Sequence, residues 1–401
     1  MPNYPQNVDV AVIGASTAGL FTAFLLAQAD YRVAVFEQHS RIAPTRRTLI
    51  ITPYLRQVLP FSFDDAVLHT TPVMGVASPR AEADIHLADP DLIVERRALT
   101  QILLQQAQAA GADVYTGLKL VDMSPDSTGA HLHFNERNTG RRHVIRAQVV
   151  IGADGVFSDT ARLAGIPKPP SVPILQAEIL LPQGWDPRRV QVWFDRGETR
   201  FFYWLIPESQ ERGVVGLVAD PTDNIRSLLM RFLKRHDMTP LAFQGAQVAL
   251  HHPRLRPWGY VGATPVYLVG DAAGHVKVTT VGGSVTGFLG AKAVAEAIVH
   301  NRPYAATLRP VKRELDLHWW VRALLDRLDN RGYDALIRSL TPRVRRFLSH
   351  RTRDEMSGAL WRVLLTTPQL WTLLPHLLRS SIHRPSGRSA TYSDSYEVDI
   401  L

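Results

Sequence analysis

The sequence predicts an α/β protein built from a doubly wound domain, an inserted antiparallel β-sheet and a helical C-terminal region. Three observations carry this reading. Near the N-terminus an apolar run, Val8–Ile13 interrupted only by Asp9, leads through GASTAG into the helical pattern Leu20–Gln28 and a second apolar run, Arg32–Phe36, that ends at Glu37. Strand, tight turn, helix and parallel strand make one βαβ unit, and strands buried on both faces read as near-continuous apolar runs. From about residue 172 to 220 the texture changes to strand-sized runs, PILQAEILL, VQVWF, RFFYWLI and GVVGLVA, parted by turn signals such as Asp195-Arg196-Gly197-Glu198. Beyond Pro303 the chain reads as helices rich in Leu, Trp and Arg.

The elements between these landmarks follow in order. RALTQILLQQAQAAG predicts a helix over Ala98–Ala110 that stops at Gly111, and a strand is expected at Asp113–Tyr115. Short alternating stretches at His131–Phe134 and Val144–Ile151 read as strands, and the apolar run Tyr267–Val269 leads into Gly270-Asp271. The helical stretch Ser284–His300 then returns the chain to the first domain.

Composition narrows the chemistry. The 401 residues contain no Cys, which excludes disulfides, thiolate metal clusters and Cys nucleophiles, so any redox chemistry must belong to a bound cofactor. The 15 His residues form no HxxxH, HxH or HExxH string with carboxylate support, so no metal site is expected. The formal charge is +8, and +7 of it falls after residue 301. No basic region precedes the first apolar run, so no export signal is expected and the protein is read as cytoplasmic. No uninterrupted apolar run reaches membrane-spanning length; the closest approach, Val363–Leu378, is broken by Pro368 and Pro375 and suits a membrane interface better than a crossing. With Arg343, Arg345, Arg346, Arg351 and Arg353 beside it, contact with an anionic lipid surface is the expectation, and no motif supports nucleic-acid binding.

Three strings carry the functional reading. Gly14-Ala15-Ser16-Thr17-Ala18-Gly19 fits the dinucleotide fingerprint G-x-G-x-x-G with Ser16 in the middle position. Gly14 permits the sharp turn, the small Ser16 lets backbone approach a pyrophosphate, and Gly19 lets the helix pack on its strand. Glu37, 23 residues after Gly14, ends the second strand, where a carboxylate binds a ribose diol and disfavours a 2′-phosphate. The second string is Val150-Ile151-Gly152-Ala153-Asp154-Gly155-Val156-Phe157-Ser158 with Arg162, and the third is Tyr267-Leu268-Val269-Gly270-Asp271-Ala272-Ala273-Gly274.

These strings resemble the GADGxxSxxR and GDAA motifs of flavin enzymes with the p-hydroxybenzoate hydroxylase fold, and with the fingerprint they span about 300 residues. The resemblance implies a Rossmann-like domain holding non-covalent FAD. It places Asp271 on the ribityl chain, Asp154 and Gly155 near the pyrophosphate and the nicotinamide approach, and Arg96 on the phosphate side. The continuation His275-Val276-Lys277-Val278-Thr279-Thr280-Val281-Gly282-Gly283-Ser284 is similar to the GDAAGxVKPxTGGGI stretch of geranylgeranyl reductases, with Val281-Gly282-Gly283 at the Gly triplet. Gly282 and Gly283 would let backbone approach the isoalloxazine. Phe202-Tyr203-Trp204-Leu205-Ile206-Pro207 resembles the same family's aromatic motif and implies substrate-lining roles for Phe202, Tyr203, Trp204 and Pro207. It also resembles the WxWxIP string of flavin halogenases, but those need an N-terminal Lys and none stands before Lys119 here. Where many geranylgeranyl reductases carry Cys, this chain has Arg46-Arg47-Thr48.

The resemblance implies an NAD(P)H-driven FAD reductase of C=C bonds in a prenyl or similarly hydrophobic lipid-like substrate. The alternative is a monooxygenase of the same fold that hydroxylates or epoxidises an aromatic or apolar substrate. No side chain is assigned as a catalytic residue, because the flavin carries the hydride chemistry. The expected division gives residues 1–75, 96–170 and 255–302 to the FAD-binding domain, and 76–95 and 171–254 to the substrate-binding sheet. Residues 303–385 form the helical region, and 386–401 a mobile tail.

Overall fold

The apolar run at the N-terminus becomes the strand Asn7–Ile13 at the middle of a sheet, with parallel neighbours on both sides. The structure is a computed structural model and describes residues 4–42 and 46–355. The expected tail at 386–401 and the apolar stretch 363–378 lie outside the described residues. Parallel strands run in the order Thr264–Leu268, Arg142–Gly152, Asn7–Ile13, Val33–Glu37, Asp113–Thr116. Because the central strand is covered on both faces, Val10 and Val12 join one core and Val8, Ala11 and Ile13 the other. Helices Thr17–Ala27, Arg96–Ala109 and Ser284–Val299 cover the first face, where Phe21 meets Phe288 edge to face at 5.4 Å. The opposite face is closed by the hairpin Leu118–Asp126/Gly129–Glu136 and the short helix Asp159–Leu163.

A second sheet of eight strands has the order Pro240–Ala249, Ser171–Leu180, Arg212–Val218, Tyr203–Pro207, Arg189–Trp193, Val67–Ser78, Ala81–Glu95, Thr48–Ile51. All its pairings are antiparallel except Arg189–Trp193 on Val67–Ser78. Thr48–Ile51 and Val67–Ser78 therefore belong to this sheet, although the sequence division assigned residues 1–75 to the first domain. Thr48 stands opposite Glu95 and Val67 opposite Val94, so one long hairpin reaches from the second sheet down to the first. A helix over Ile225–Arg235, absent from the sequence reading, turns Leu228, Leu229, Phe232 and Leu233 onto the back of the sheet.

The C-terminal helices Arg309–Leu325, Asn330–Arg338 and Pro342–Ser349 run back across the long hairpin. Asp334 accepts hydrogen bonds from Ser78 Oγ (2.6 Å) and Arg80 N (3.0 Å) at its tip. Of the five clustered arginines, Arg343, Arg346 and Arg351 are exposed, whereas Arg345 and Arg353 turn inward to the Asp84 carbonyl and the Asp91 carboxylate. The basic patch is thus thinner than the sequence implied. Among the described residues no helix is long and apolar enough to cross a membrane.

Two imidazoles are buried where they cannot easily take a charge. His275 packs against Gly290, whose missing side chain leaves room for the ring, and neither ring nitrogen has a hydrogen-bond partner among the described residues. Burial pushes both His275 and His318 down to about 3 from the ordinary 6.5. The unfolded chain takes up these protons near pH 6.5 and the folded chain does not. Stability is therefore full above that pH and falls as the medium is acidified, by up to about 1.4 kcal/mol per pH unit for each ring. Urea unfolding measured at a series of mildly acidic pH values should show this slope, and His275→Leu should remove about one ring's share of it.

Candidate functional site

Between the two sheets lies a cavity of about 1030 Å³. At one end its wall is the turn Ile13–Ala18, Glu37, the 153–157 loop and Gly270-Asp271. At the other it is the apolar face of the second sheet, including Met74, Val76, Val192, Phe202, Trp204 and Ile206. Gly282 and Gly283 stand between the two halves, just before the helix Ser284–Val299.

The first half has the shape of a nucleotide cradle. Gly14 has φ +98°, and a Cβ there would lie 2.6 Å from the Ala153 carbonyl oxygen, so only glycine lets the turn approach the neighbouring loop. Ser16 caps the helix by accepting from Gly19 N at 3.2 Å. Glu37 accepts from Ala15 N and His39 N, each at 2.9 Å, which aims the carboxylate across the mouth of the turn. Asp154 lines the cavity, but its oxygens take hydrogen bonds from Ser158 Oγ (2.5 Å), Thr160 N (2.9 Å) and Thr160 Oγ1 (2.9 Å). Burial raises its pKa against those bonds. Burial also raises that of Asp271, opposed by an N–H from Ala249 and by the charges of Arg96 and Arg47.

Arg47 and Arg96 are the unexplained feature of this half. Both line the cavity, and Arg96 N donates to the Arg47 carbonyl at 2.8 Å, which holds the two residues together. Burial and the neighbouring Arg96 bring Arg47 down to about 10. Among the described residues neither guanidinium has a carboxylate within 4.0 Å. Two close, unpaired cations beside a glycine turn and a helix N-terminus fit a diphosphate, so the residues present suit FAD.

In the second half, Phe202 and Trp204 reach the cavity as expected. Tyr203 and Pro207 do not, which corrects their assignment as substrate-lining. Alternate strand residues face opposite sides, so Trp204 and Ile206 point inward while Tyr203 points to the back. There its ring stacks on Phe232 with centroids 4.2 Å apart, and its hydroxyl donates to Glu198 at 3.2 Å. Gly19 is likewise off the cavity wall. A Cβ there would lie 2.7 Å from Ala153 Cβ, so its part is helix packing rather than ligand contact. Val281, at the first position of the Gly triplet, has φ +51°, a strained conformation for a β-branched residue, and its side chain reaches the cavity.

The sequence reading missed the polar group at this end. Lys277 pairs with Asp354, and Arg353 with Asp91 at 2.7 Å, and the first three of these residues line the cavity. Lys277 sits inside a quoted motif and was legible as a candidate. Asp354 stands 77 residues away in a turn with no local signal.

The fold, the cradle and the paired strings define a flavin-binding protein. The chain belongs to the FAD binding domain family, whose model matches residues 7–301. It is similar to digeranylgeranylglycerophospholipid reductase 1 of Methanopyrus kandleri, 25% identical over 313 residues that cover 73% of this chain and 81% of the relative. Among solved structures, a geranylgeranyl bacteriochlorophyll reductase-like protein of Thermoplasma acidophilum superposes with a TM-score of 0.79 at 17% identity, covering 94% of this chain and all of that one. The p-nitrophenol 4-monooxygenase of Pseudomonas putida has the same fold, with a TM-score of 0.61 at 14% identity over 94% of this chain and 98% of that one.

If Arg47 and Arg96 await a diphosphate, Arg47→Met should act in opposite directions on the two forms. The apo protein should melt at the same temperature or higher, because a desolvated and repelled charge is gone. FAD affinity should fall about tenfold to a hundredfold, the value of one or two charge-assisted bonds. Calorimetry of the apo protein and fluorescence titration with FAD check the two arms.

Proposed function

We propose that the protein is an FAD-dependent reductase that uses NAD(P)H to saturate C=C bonds in a prenyl chain or a similar lipid-like substrate. The observation that carries this reading is the join of the two cavity halves. The nucleotide cradle opens at Gly282 and Gly283 directly onto a wall of aliphatic and aromatic side chains. Among the described residues, Lys277, Arg353 and Asp354 are the charged groups at that apolar end, and all three are paired. Such a wall accepts an isoprenoid chain and offers few partners to a hydrogen-bonding aromatic acid. The reductase names of the relatives support the same reading.

In this scheme Gly14, Ser16, the helix N-terminus and the Arg47–Arg96 pair hold the diphosphate, and Glu37 holds the adenosine ribose. Gly282 and Gly283 leave the ring face open. The bound flavin supplies the hydride. Val76, Val192, Phe202 and Trp204 orient the chain and exclude water from the reacting carbons. The same apolar end leads toward the basic C-terminal region, where Trp320 and Leu324 are exposed beside Arg327. That surface suits collection of a substrate from an anionic bilayer.

Incubation of the FAD-loaded protein with NADPH and geranylgeranyl diphosphate without oxygen should give products heavier by one H2 for each double bond, read by mass spectrometry. An oxygen-dependent product carrying one added oxygen atom would sink the reductase reading in favour of a monooxygenase. For the membrane surface, Trp320→Glu with Leu324→Glu should lower co-sedimentation with anionic vesicles, and unchanged partitioning would remove that part.

A further inference from the structure

Saturation of a double bond requires one proton for every hydride, and a prenyl chain filling the apolar half of the cavity would displace the solvent that would ordinarily provide it. We propose, resting on the reductase reading above, that Lys277 is the catalytic proton donor and that Asp354 positions it. The chain has no Cys to serve instead. The carboxyl groups of the dinucleotide half are committed elsewhere: Asp154 accepts three bonds from its own loop, Glu37 holds the turn, and Asp271 lies beneath Arg47 and Arg96. Arg353 is bound to Asp91, and a guanidinium does not release its proton.

The geometry of Lys277 matches the task. Its backbone N–H donates to the Gly282 carbonyl at 3.1 Å, which closes a tight loop over 277–282. Its Cε lies 3.7 Å from where a Cβ on Gly282 would stand, so the side chain runs along the glycine pair that faces the ring site. The Lys277 side chain is 7% exposed and that of Asp354 is fully buried, yet both reach the cavity wall. One Asp354 oxygen takes the ammonium and the other takes the Thr52 hydroxyl, so the carboxylate is anchored from two directions. The ammonium is faced by Asp354 and Arg353 from the last described turn, by Glu314 and His318 from the helix Arg309–Leu325, and by Asp91 from the long hairpin. Burial lowers the pKa of Lys277 and makes it a better acid, while Asp354, held below the usual carboxylate range by the ammonium, keeps it charged.

The step balances. The electron pair and one hydrogen reach the first alkene carbon from the reduced flavin, which is left oxidised by two electrons. The second carbon takes a proton as an Nζ–H bond of Lys277 breaks and a C–H bond forms. The neutral amine is recharged from solvent when the product leaves.

The experiment separates the half-reactions. FAD-loaded protein is reduced with dithionite without oxygen, mixed with geranylgeranyl diphosphate, and followed by the return of the oxidised flavin's absorbance. Lys277→Met should slow that return about a hundredfold or more, with FAD content and reduction by NADPH unchanged. The single variant leaves Asp354 buried without a partner, so Lys277→Met/Asp354→Leu is measured beside it, because removing both charges restores packing. A purely structural role predicts recovery in the double variant, whereas a proton donor predicts that it folds and stays slow. The wild-type rate should also fall as rising pH strips the ammonium, and the variants should lose that dependence. Reoxidation of the double variant at the wild-type rate overturns the assignment alone. A wild type that is not reoxidised by the prenyl substrate overturns the reductase reading and the assignment together.

Discussion

The close approach of two backbone turns at Gly14 and Ala153 governs the rest of the molecule. Parallel strands Asn7–Ile13 and Arg142–Gly152 end side by side, so the loops leaving them must share one small space. They manage it because neither Gly14 nor Gly19 carries a side chain, and Ala153 N donates to the Ile13 carbonyl at 2.7 Å across the gap. The helix Thr17–Ala27 then starts with its free N–H groups aimed at the cavity, and the helices packed on it inherit its position. The cradle, the place of Glu37 and the approach of Asp271 all follow from that one contact.

A second constraint acts at the opposite end. A cavity that must accept an apolar chain cannot tolerate isolated charge, yet Lys277, Asp354 and Arg353 stand at its wall, with Asp91 paired to Arg353 behind them. Each is matched by a partner, and breaking one member of such a buried pair costs about 3–5 kcal/mol. The pairs also stitch the last described turn, Thr352–Glu355, to the hairpin and to the loop before the helix Ser284–Val299. The C-terminal segment is therefore part of the cavity wall, although nothing in its local sequence marks it so.

Much of the dinucleotide half is legible in the sequence. Glycines at forced positions, a carboxylate at a strand end and strings such as GADG and GDAA are local, because strand, turn and helix lie within a few dozen residues. Arg96 lines the cavity from the first residue of its helix, and Gly282 and Gly283 lie between the two halves of the cavity. Tyr203 and Pro207 were misplaced for a simple reason. A strand's period of two sets which residues share a face, and Tyr203 went to the wrong one only when the motif was taken whole. The helix Ile225–Arg235 escaped notice because it interrupts a run of strands.

Local patterning thus determined the class of fold, the cofactor cradle and the apolar lining on Phe202 and Trp204. Each of those depends on neighbours in sequence and on the two simple periods of helix and strand. Tertiary structure alone decided that Thr48–Ile51 joins the second sheet, that Arg47 stands unpaired beside Arg96, and that Asp354 closes on Lys277. Those relations join residues tens to hundreds of positions apart. Burial and charge pairing select them only once the chain has folded, because the cost of leaving a charge alone arises only where water has been removed.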